Sequence, residues 1–374
     1  MNTRHKTDIL KIVSEFQVEG VIDNIEKYGS GHIHETYYLK NKNPWMDDYI
    51  LQQINHKVFT NIPGLMDNIR HVTSHLYRKV SEIPGSVPGQ EVLTLVPANN
   101  GSDYYRGSDG SYWRIFLFLK GTRSYNLVET TRQAYEGGRA YGRFQLLLSD
   151  LDAGQLYEIL PDFHNLEYRL SLLQDAVKSD PMNRLQYGQD LLRFVHSRTD
   201  KMMTILNMGK AGKLPVRITH NDTKFNNVLL DKDDRAQCVI DLDTVMPGYV
   251  AYDFGDAVRT IVNTAEEDEK DLEKINVNMY LFEGFAKGFI REAAPGLTKN
   301  EVDSLSHGCL LLPFIMGVRF LTDYIAGDIY YTIHFPDHNL QRARAQFRLT
   351  EKLEKQFPAI QKIIRQLTES TNRK

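Results

Sequence analysis

The stretch His220-Asn221-Asp222-Thr223-Lys224-Phe225-Asn226-Asn227 constrains this chain more than any other. It sets a carboxylate and an amide five residues apart and leads, through the apolar run Val228-Leu229-Leu230, to Asp241-Leu242-Asp243. A loop turning over Thr223 to Asn226 points Asp222 and Asn227 at one place. The turn Asp231-Lys232-Asp233-Asp234 and a return strand from Ala236 to Leu242 then predict a hairpin that carries Asp241 back beside Asn227. Each residue alone has a plainer reading: Asp222 as a turn cap, Asn227 at a strand start, Asp241 at a strand end. Their joint spacing matches what phosphoryl transfer requires. A carboxylate stands near the attacking hydroxyl, and an amide oxygen with carboxylates holds the magnesium that neutralises nucleotide phosphates.

A second acid competes for the metal. Asp253-Phe254-Gly255 spells a magnesium motif of protein kinases, but Asp253 lies 31 residues past Asp222, whereas Asp241 lies 19 past it at the end of the hairpin strand. The metal is therefore assigned to Asp241. Asp253 is expected to accept hydrogen bonds from the catalytic-loop backbone or His220 and to lead into a helix beginning near Asp256.

Upstream, an amphipathic helix around Ile9 to Phe16 precedes strands at Val21 to Tyr28, Ile33 to Leu39 and Tyr49 to Gln53, with Gly29-Ser30-Gly31 turning between the first two. A helix from Leu65 to Val80 and strands at Val92 to Val96 and Tyr112 to Phe118 follow. That order is the small lobe of a kinase fold. Beyond Thr122 helices dominate: Thr130 to Leu148, Asn165 to Val177, Arg184 to Met208, Asp256 to Asn263, Leu272 to Ala294, Lys299 to Tyr324 and Leu340 to Leu367, interrupted by the hairpin. The expected architecture is α+β and two-lobed, protein-kinase-like. Residues 1–121 form a small antiparallel-sheet lobe that binds nucleotide, and residues 122–374 a larger, mainly helical lobe for catalysis and acceptor binding, with the nucleotide in the cleft between them. Glycine amides at Gly29, Ser30 and Gly31 are candidates to cover the phosphates, with His32 facing the cleft.

Charge and cysteine content narrow the partners. A net charge of −3 disfavours nucleic acid or another polyanion and leaves small ligands. Cys238 and Cys309 are the only cysteines, each among apolar neighbours, so buried free thiols are expected rather than a disulfide frame or zinc site. The first residues read as an amphipathic helix, not a signal segment, and the run Cys309 to Val318 is interrupted by Pro313 and too short to span a bilayer. A cytoplasmic monomer without membrane contact is the expectation.

At these residues the chain resembles the aminoglycoside phosphotransferase-like small-molecule kinases, and among them those that phosphorylate N-acetylhexosamines at C1. The resemblance runs nearly the full length and is carried by Gly29 to Tyr38, Tyr49 to Asn55, Ile218 to Leu230, Ile240 to Asp256, Glu266 to Leu272 and Arg319 to Tyr330. It implies an ATP- and Mg2+-dependent kinase acting on N-acetylglucosamine or N-acetylgalactosamine. Asp222 is implied as the base, Asn227 and Asp241 as metal ligands, and Asp243 beside them at the metal or the sugar. Arg319 and Tyr330 are implied as sugar contacts, and His32, by its place just after the glycine turn, is a candidate for the same site. Without the resemblance, a core ion pair and a packed aromatic are fair readings of Arg319 and Tyr330.

One departure from the wider kinase pattern stands out. Where the third strand of protein kinases carries a lysine for the nucleotide phosphates, this chain has Gln52, which donates a hydrogen bond but no charge. The rival readings are a kinase for another hydroxyl compound, such as homoserine, choline or an aminoglycoside, and a non-catalytic nucleotide-binding module. A cationic acceptor wants an acidic pocket, and Glu266 to Glu269 is read instead as a solvated helix start. Against the module stands the presence of Asp222, Asn227 and Asp241 together.

Overall fold

The computed structural model describes residues 3–29 and 33–371, with only the backbone for the first three of these. Helix α1 (Thr3–Val13) opens the chain, followed by β1 (Ile22–Lys27), β2 (Glu35–Asn41) and β3 (Tyr49–Ile54). Then come α2 (Ile62–Ser81), the single turn α3 (Pro88–Glu91), β4 (Leu95–Val96), β5 (Tyr105–Arg106) and β6 (Tyr112–Leu117). The strands form an antiparallel sheet in the order β1-β2-β3-β6-β4, with β5 on β6. Alternation gives the sheet two faces. Tyr37, Leu39, Leu51 and Ile115 pack with Ile9, Val13 and Phe16 on the outer face, which leaves Thr36, Gln52 and Arg114 on the other. Gln52 stands directly across from Thr36 on one side and Arg114 on the other.

Helix α2 joins this part to the rest. Asn61 caps its start by accepting from the Gly64 amide at 3.0 Å. Its buried Asn68 donates to the carbonyls of Tyr157 (2.8 Å) and Val245 (3.1 Å). Leu65, Ile69, Val72 and Leu76 share a core with Phe144, Leu148, Leu242 and Val245 of the larger part.

The larger part is helical around one core. It contains α4 (Thr131–Leu147), α5 (Leu166–Ser179), α6 (Gln189–His196), α7 (Thr199–Met202) and α8 (Thr204–Lys210). After β7 (Arg217–Thr219), β8 (Val228–Leu230), β9 (Ala236–Val239) and β10 (Met246–Gly248) come α9 (Val250–Ile261), α10 (Met279–Ala293), α11 (Lys299–Ala326) and α12 (His338–Thr371). Two glycine contacts let its helices cross closely: a Cβ on Gly255 would sit 2.2 Å from the Gly308 carbonyl oxygen, and one on Gly308 would sit 2.0 Å from that of Ala251. No side chain fits there, so α9 and α11 meet backbone to backbone and hold the loop in front of α9 rigidly.

Several expected boundaries shift. The helix expected from Arg184 to Met208 is a 3-10 turn (Leu185–Tyr187) followed by three short helices, with breaks at Gly188, Ser197-Arg198 and Met203. The helix expected from Asp256 begins at Val250, so Asp253 lies in its first turn. The strand expected from Val92 shrinks to Leu95–Val96. The acidic run at Glu266 starts no helix: α10 begins at Met279, capped by Asn278, which accepts from the amides of Tyr280 and Leu281. The acids are used elsewhere, Glu267 on Arg259 at 2.8 Å and Asp268 on His338 at 2.9 Å. The apolar run around Pro313 continues as the 28-residue α11. Among the described residues it is the one helix long and apolar enough to cross a membrane, and 83% of that apolar window is buried against protein. Cys238 and Cys309 are buried free thiols.

Candidate active site

The catalytic hairpin is built around two fixed carboxylates. Asp253, 1% exposed, accepts the His220 amide at 2.8 Å, the Asn221 amide at 2.7 Å and the Gln145 side chain at 2.7 Å. Its backbone carbonyl takes the Thr223 hydroxyl at 2.6 Å. Burial raises its pKa to about 6 against the lowering effect of those donors. Asn221 sits at φ +65°, a strained left-handed conformation that these bonds hold. Asp253 thus ties down the loop carrying Asp222, as the sequence predicts.

His220 completes the frame. Its Nδ1 accepts the Asp222 amide at 3.3 Å, so Nε2 carries the proton and donates to the Ile240 carbonyl at 2.9 Å. The rings of Tyr141 and Phe144 meet it edge-on at 5.8 Å. One imidazole therefore spans the hairpin, from the loop before β8 to the segment after β9. The Ile240 amide returns a bond to the Asn227 carbonyl at 2.9 Å. The spacing argument holds: Asp222, Asn227 and Asp241 stand on one braced hairpin.

Their side chains differ in what they have left to bind. Asn227 donates through Nδ2 to the Asp222 carbonyl at 2.8 Å and to Asp222 Oδ2 at 3.3 Å, and among the described residues nothing donates to its amide oxygen. The Asp222 carboxylate pairs with Lys224 at 2.9 Å. Burial works to raise its pKa, but Lys224 and then His220 outweigh it, and the group lies below the usual carboxylate range. Asp241 is different. It sits at φ +62°, exposed, and among the described residues its carboxylate has no hydrogen bond or ion pair. Surrounding protein, then the charges of Asp243 and Asp222, push its pKa up to about 7. An exposed carboxylate with the charges of two others close by, and an amide side chain on the same hairpin, is a donor set that fits a hard divalent cation. Among the described residues no three His, Cys, Asp or Glu side chains form a metal cage. Mg2+ does not need one, since phosphate oxygens and water complete its shell.

Asp243 is 2% exposed and already occupied. It accepts both terminal nitrogens of Arg114, at 2.5 and 2.7 Å, and His34 Nε2 at 3.0 Å. His34 Nδ1 accepts the Asn55 amide at 3.0 Å, which puts the ring proton on Nε2 as the donor to Asp243. Burial works against the charge, but Arg114 and His34 hold the Asp243 carboxyl well below the usual range. Arg114 Nε in turn donates to Gln52 Oε1 at 3.0 Å, and Gln52 donates to the Thr36 hydroxyl at 3.2 Å.

Gln52 therefore answers the missing lysine in an unforeseen way: it orients the guanidinium of the residue opposite it in register, and that cation crosses the cleft to the catalytic segment. Arg114, His34 and Lys224 are the site residues that sequence reasoning missed. Lys224 was legible as a cation two places after Asp222. Arg114 becomes visible only once β3 is paired with β6.

Removing this cation has a calculable consequence. Arg114→Met leaves the buried Asp243 carboxylate without its cation, with only the His34 hydrogen bond, and is expected to cost about 3–5 kcal/mol of stability. Denaturant unfolding measures it, and a midpoint equal to wild type would contradict the pairing.

Of the remaining predicted residues, Gly29 takes φ +77° with open space where a Cβ would stand, as a tight turn needs. Ser30, Gly31 and His32 lie outside the described residues. Arg319 and Tyr330 do meet: the guanidinium lies 4.9 Å from the Phe163 ring centre, 5.8 Å from that of Tyr330 and 5.5 Å from that of Tyr331. The Phe163 and His164 rings lie 4.6 Å apart, tilted by 59°, and His164 Nε2 donates to the Asn221 carbonyl at 3.1 Å, next to Asp222. This aromatic and cationic group therefore borders the catalytic loop.

Residues 24–283 match the model of the phosphotransferase enzyme family, APH. The chain belongs to this family. It is a small-molecule phosphotransferase with an alcohol acceptor, and the fold agrees with solved structures across their whole length. An aminoglycoside phosphotransferase from Alicyclobacillus acidocaldarius is 14% identical at a TM-score of 0.63, covering 96% of each chain. An amicoumacin kinase solved with AMP-PNP and Ca2+ is 15% identical at 0.59, covering 94% of this phosphotransferase and 96% of that chain. A choline kinase from Cryptosporidium parvum is 12% identical at 0.56, over 98% and 97% respectively. At these identities the likeness is one of fold.

Proposed function

We propose that this phosphotransferase moves the γ-phosphoryl group of ATP onto the anomeric C1 hydroxyl of N-acetylglucosamine or N-acetylgalactosamine, giving the sugar 1-phosphate and ADP. The observation that carries the reading is the wall formed by Arg319, Phe163, Tyr330 and Tyr331 beside the Asp222 loop. A pyranose offers an apolar face for rings and a fringe of hydroxyl and acyl oxygens for a planar donor. Asp323 supports the wall by accepting the amides of Ile329 (2.9 Å), Tyr330 (2.8 Å) and Tyr331 (2.9 Å). His32 and Tyr330 are assigned to the sugar with Arg319.

In this reading Asp222 accepts a hydrogen bond from the C1 hydroxyl and takes its proton late, because the transition state is loose. Lys224, paired with Asp222, offers positive charge to the phosphoryl group as it passes. Asn227 and Asp241 would hold the metal, with Asp243 beside them, clamped by Arg114 and His34. Mg2+ bound there neutralises phosphate oxygens and orients the γ-phosphoryl group. Gly29, Ser30 and Gly31 are assigned to the phosphates, and Gln52 acts through Arg114. The boundary between nucleotide and acceptor lobes falls at 121/122, just before the Arg123 amide and carbonyl pair with Leu230 of the catalytic hairpin.

The site of phosphorylation is the test. N-acetylhexosamines with a free anomeric hydroxyl are expected to release ADP in a coupled assay, and their 1-O-methyl glycosides to release none. Phosphorus NMR of the product is expected to show coupling to the anomeric proton. Coupling to the C6 methylene protons, or faster turnover of homoserine or an aminoglycoside than of any hexosamine, would sink the sugar 1-kinase reading and leave the phosphotransferase standing.

A further inference from the structure

The acceptor wall carries more positive charge than a neutral sugar requires. Arg169 donates through Nη2 and Nε to the Phe163 carbonyl, at 2.9 and 3.2 Å, while Arg319 packs on the Phe163 ring. Two guanidiniums thus flank one residue. Among the described residues neither makes an ion pair with a carboxylate. Arg319 has the Met316 sulfur at 3.7 Å and aromatic faces, and Arg169 has a backbone carbonyl. Burial, and next the charge of Arg319, lower the Arg169 pKa to about 10, which leaves it charged at neutral pH.

Four acids nearby are engaged. Asp222 holds Lys224, Glu267 holds Arg259, and Asp328 holds Arg184. Asp323 is filled by three amides and by Asn339 at 2.9 Å. Two polar atoms remain without partners, His164 Nδ1 and the Tyr331 hydroxyl. His164 Nε2 faces the Asn221 carbonyl as a donor, so Nδ1 is an unused acceptor. Burial drops the His164 pKa to about 3 and keeps the ring neutral. The wall therefore combines two free cations, a hydroxyl and one unused lone pair.

We infer that Arg169 and Arg319 together select by charge, admitting oxygen-rich acceptors that are neutral or acidic beyond the reacting hydroxyl and repelling acceptors that carry an ammonium group. This rests on the proposed function only in taking the side of the cleft next to Asp222 as the acceptor site. At this wall an ammonium group would enter a field of like charge in which the wall's own carboxylate, Asp323, is already filled, whereas an acyl oxygen or carboxylate meets planar donors.

The test is ADP release by the full-length protein with matched acceptors, below the pKa of the amines: N-acetylglucosamine, glucuronic acid, glucosamine, choline and an aminoglycoside. Neutral and acidic compounds are expected to exceed aminated ones in kcat/KM by about tenfold or more. Arg169→Gln and Arg319→Gln are each expected to narrow the glucosamine to N-acetylglucosamine gap, and Arg169→Lys to keep it, with melting temperatures read alongside to confirm that the variants fold.

Aminated acceptors that match or outrun the others would overturn the inference. So would an unchanged gap in both folded glutamine variants. If Arg169→Gln fails to fold, Arg319→Gln and Arg169→Lys decide. If hexosamines are inert while other uncharged or acidic alcohols outrun aminated ones, the sugar assignment fails and the charge filter stands. If hexosamines react but the arginine variants leave the gap untouched, the reverse holds.

Discussion

Asp222→Asn is expected to lower kcat by about two to four orders of magnitude while nucleotide and acceptor still bind. The amide keeps the shape of the carboxylate, and the loop is fixed from elsewhere, by the Asp253 contacts to the amides of His220 and Asn221 and by the His220 bridge to Ile240. The backbone carbonyl of residue 222 can still accept from Asn227. What is lost is the acceptor for the hydroxyl proton and the partner of Lys224. A late proton transfer makes few demands on base strength but strict demands on position, so the loss appears in kcat and not in KM. Steady-state kinetics on the folded variant checks this. Retention of more than about a tenth of wild-type kcat would remove Asp222 from the role of base.

Local spacing made the hairpin legible in the sequence, because Asp222, Asn227 and Asp241 are joined by two short strands whose register follows from the turn. Asp253 was legible by exclusion: too distant for the metal and too close to the loop to be idle. The pairing of Arg114 with Asp243 was not legible. Arg114 and Asp243 are 129 residues apart, and their contact depends on β3 pairing with β6 so that Gln52 faces Arg114. Helix ends were misread where an acid had another use. Glu267 and Asp268 resemble a solvated helix start but serve Arg259 and His338. The helix through Asp253 begins earlier than its acids suggest, because the first turn has to present Asp253 to the catalytic loop. Arg169 drew no attention as one basic residue on a polar helix. Its meaning comes from Phe163, six residues away along the chain, and from Arg319 on another helix.

The contrast between the two candidate metal acids gives the other large effect. Asp241→Asn is expected to abolish activity at ordinary magnesium concentrations, with the fold intact. Among the described residues the side chain makes no hydrogen bond or ion pair that its loss would break, and it stands among like charges that its neutralisation relieves. Asp253→Asn is expected to do the opposite. A carboxylate accepting three hydrogen bonds in a dry interior becomes an amide with one accepting oxygen, so at least one donor among the His220 amide, the Asn221 amide and Gln145 is left unpaired, at about 1–3 kcal/mol each. Its activity falls because the loop is misplaced, and raising magnesium does not restore it. Thermal melting and a magnesium titration of both variants separate the two roles. A structure with magnesium on Asp253 and none on Asp241, or an Asp241→Asn variant that melts several degrees lower while retaining wild-type turnover, would reverse the assignment.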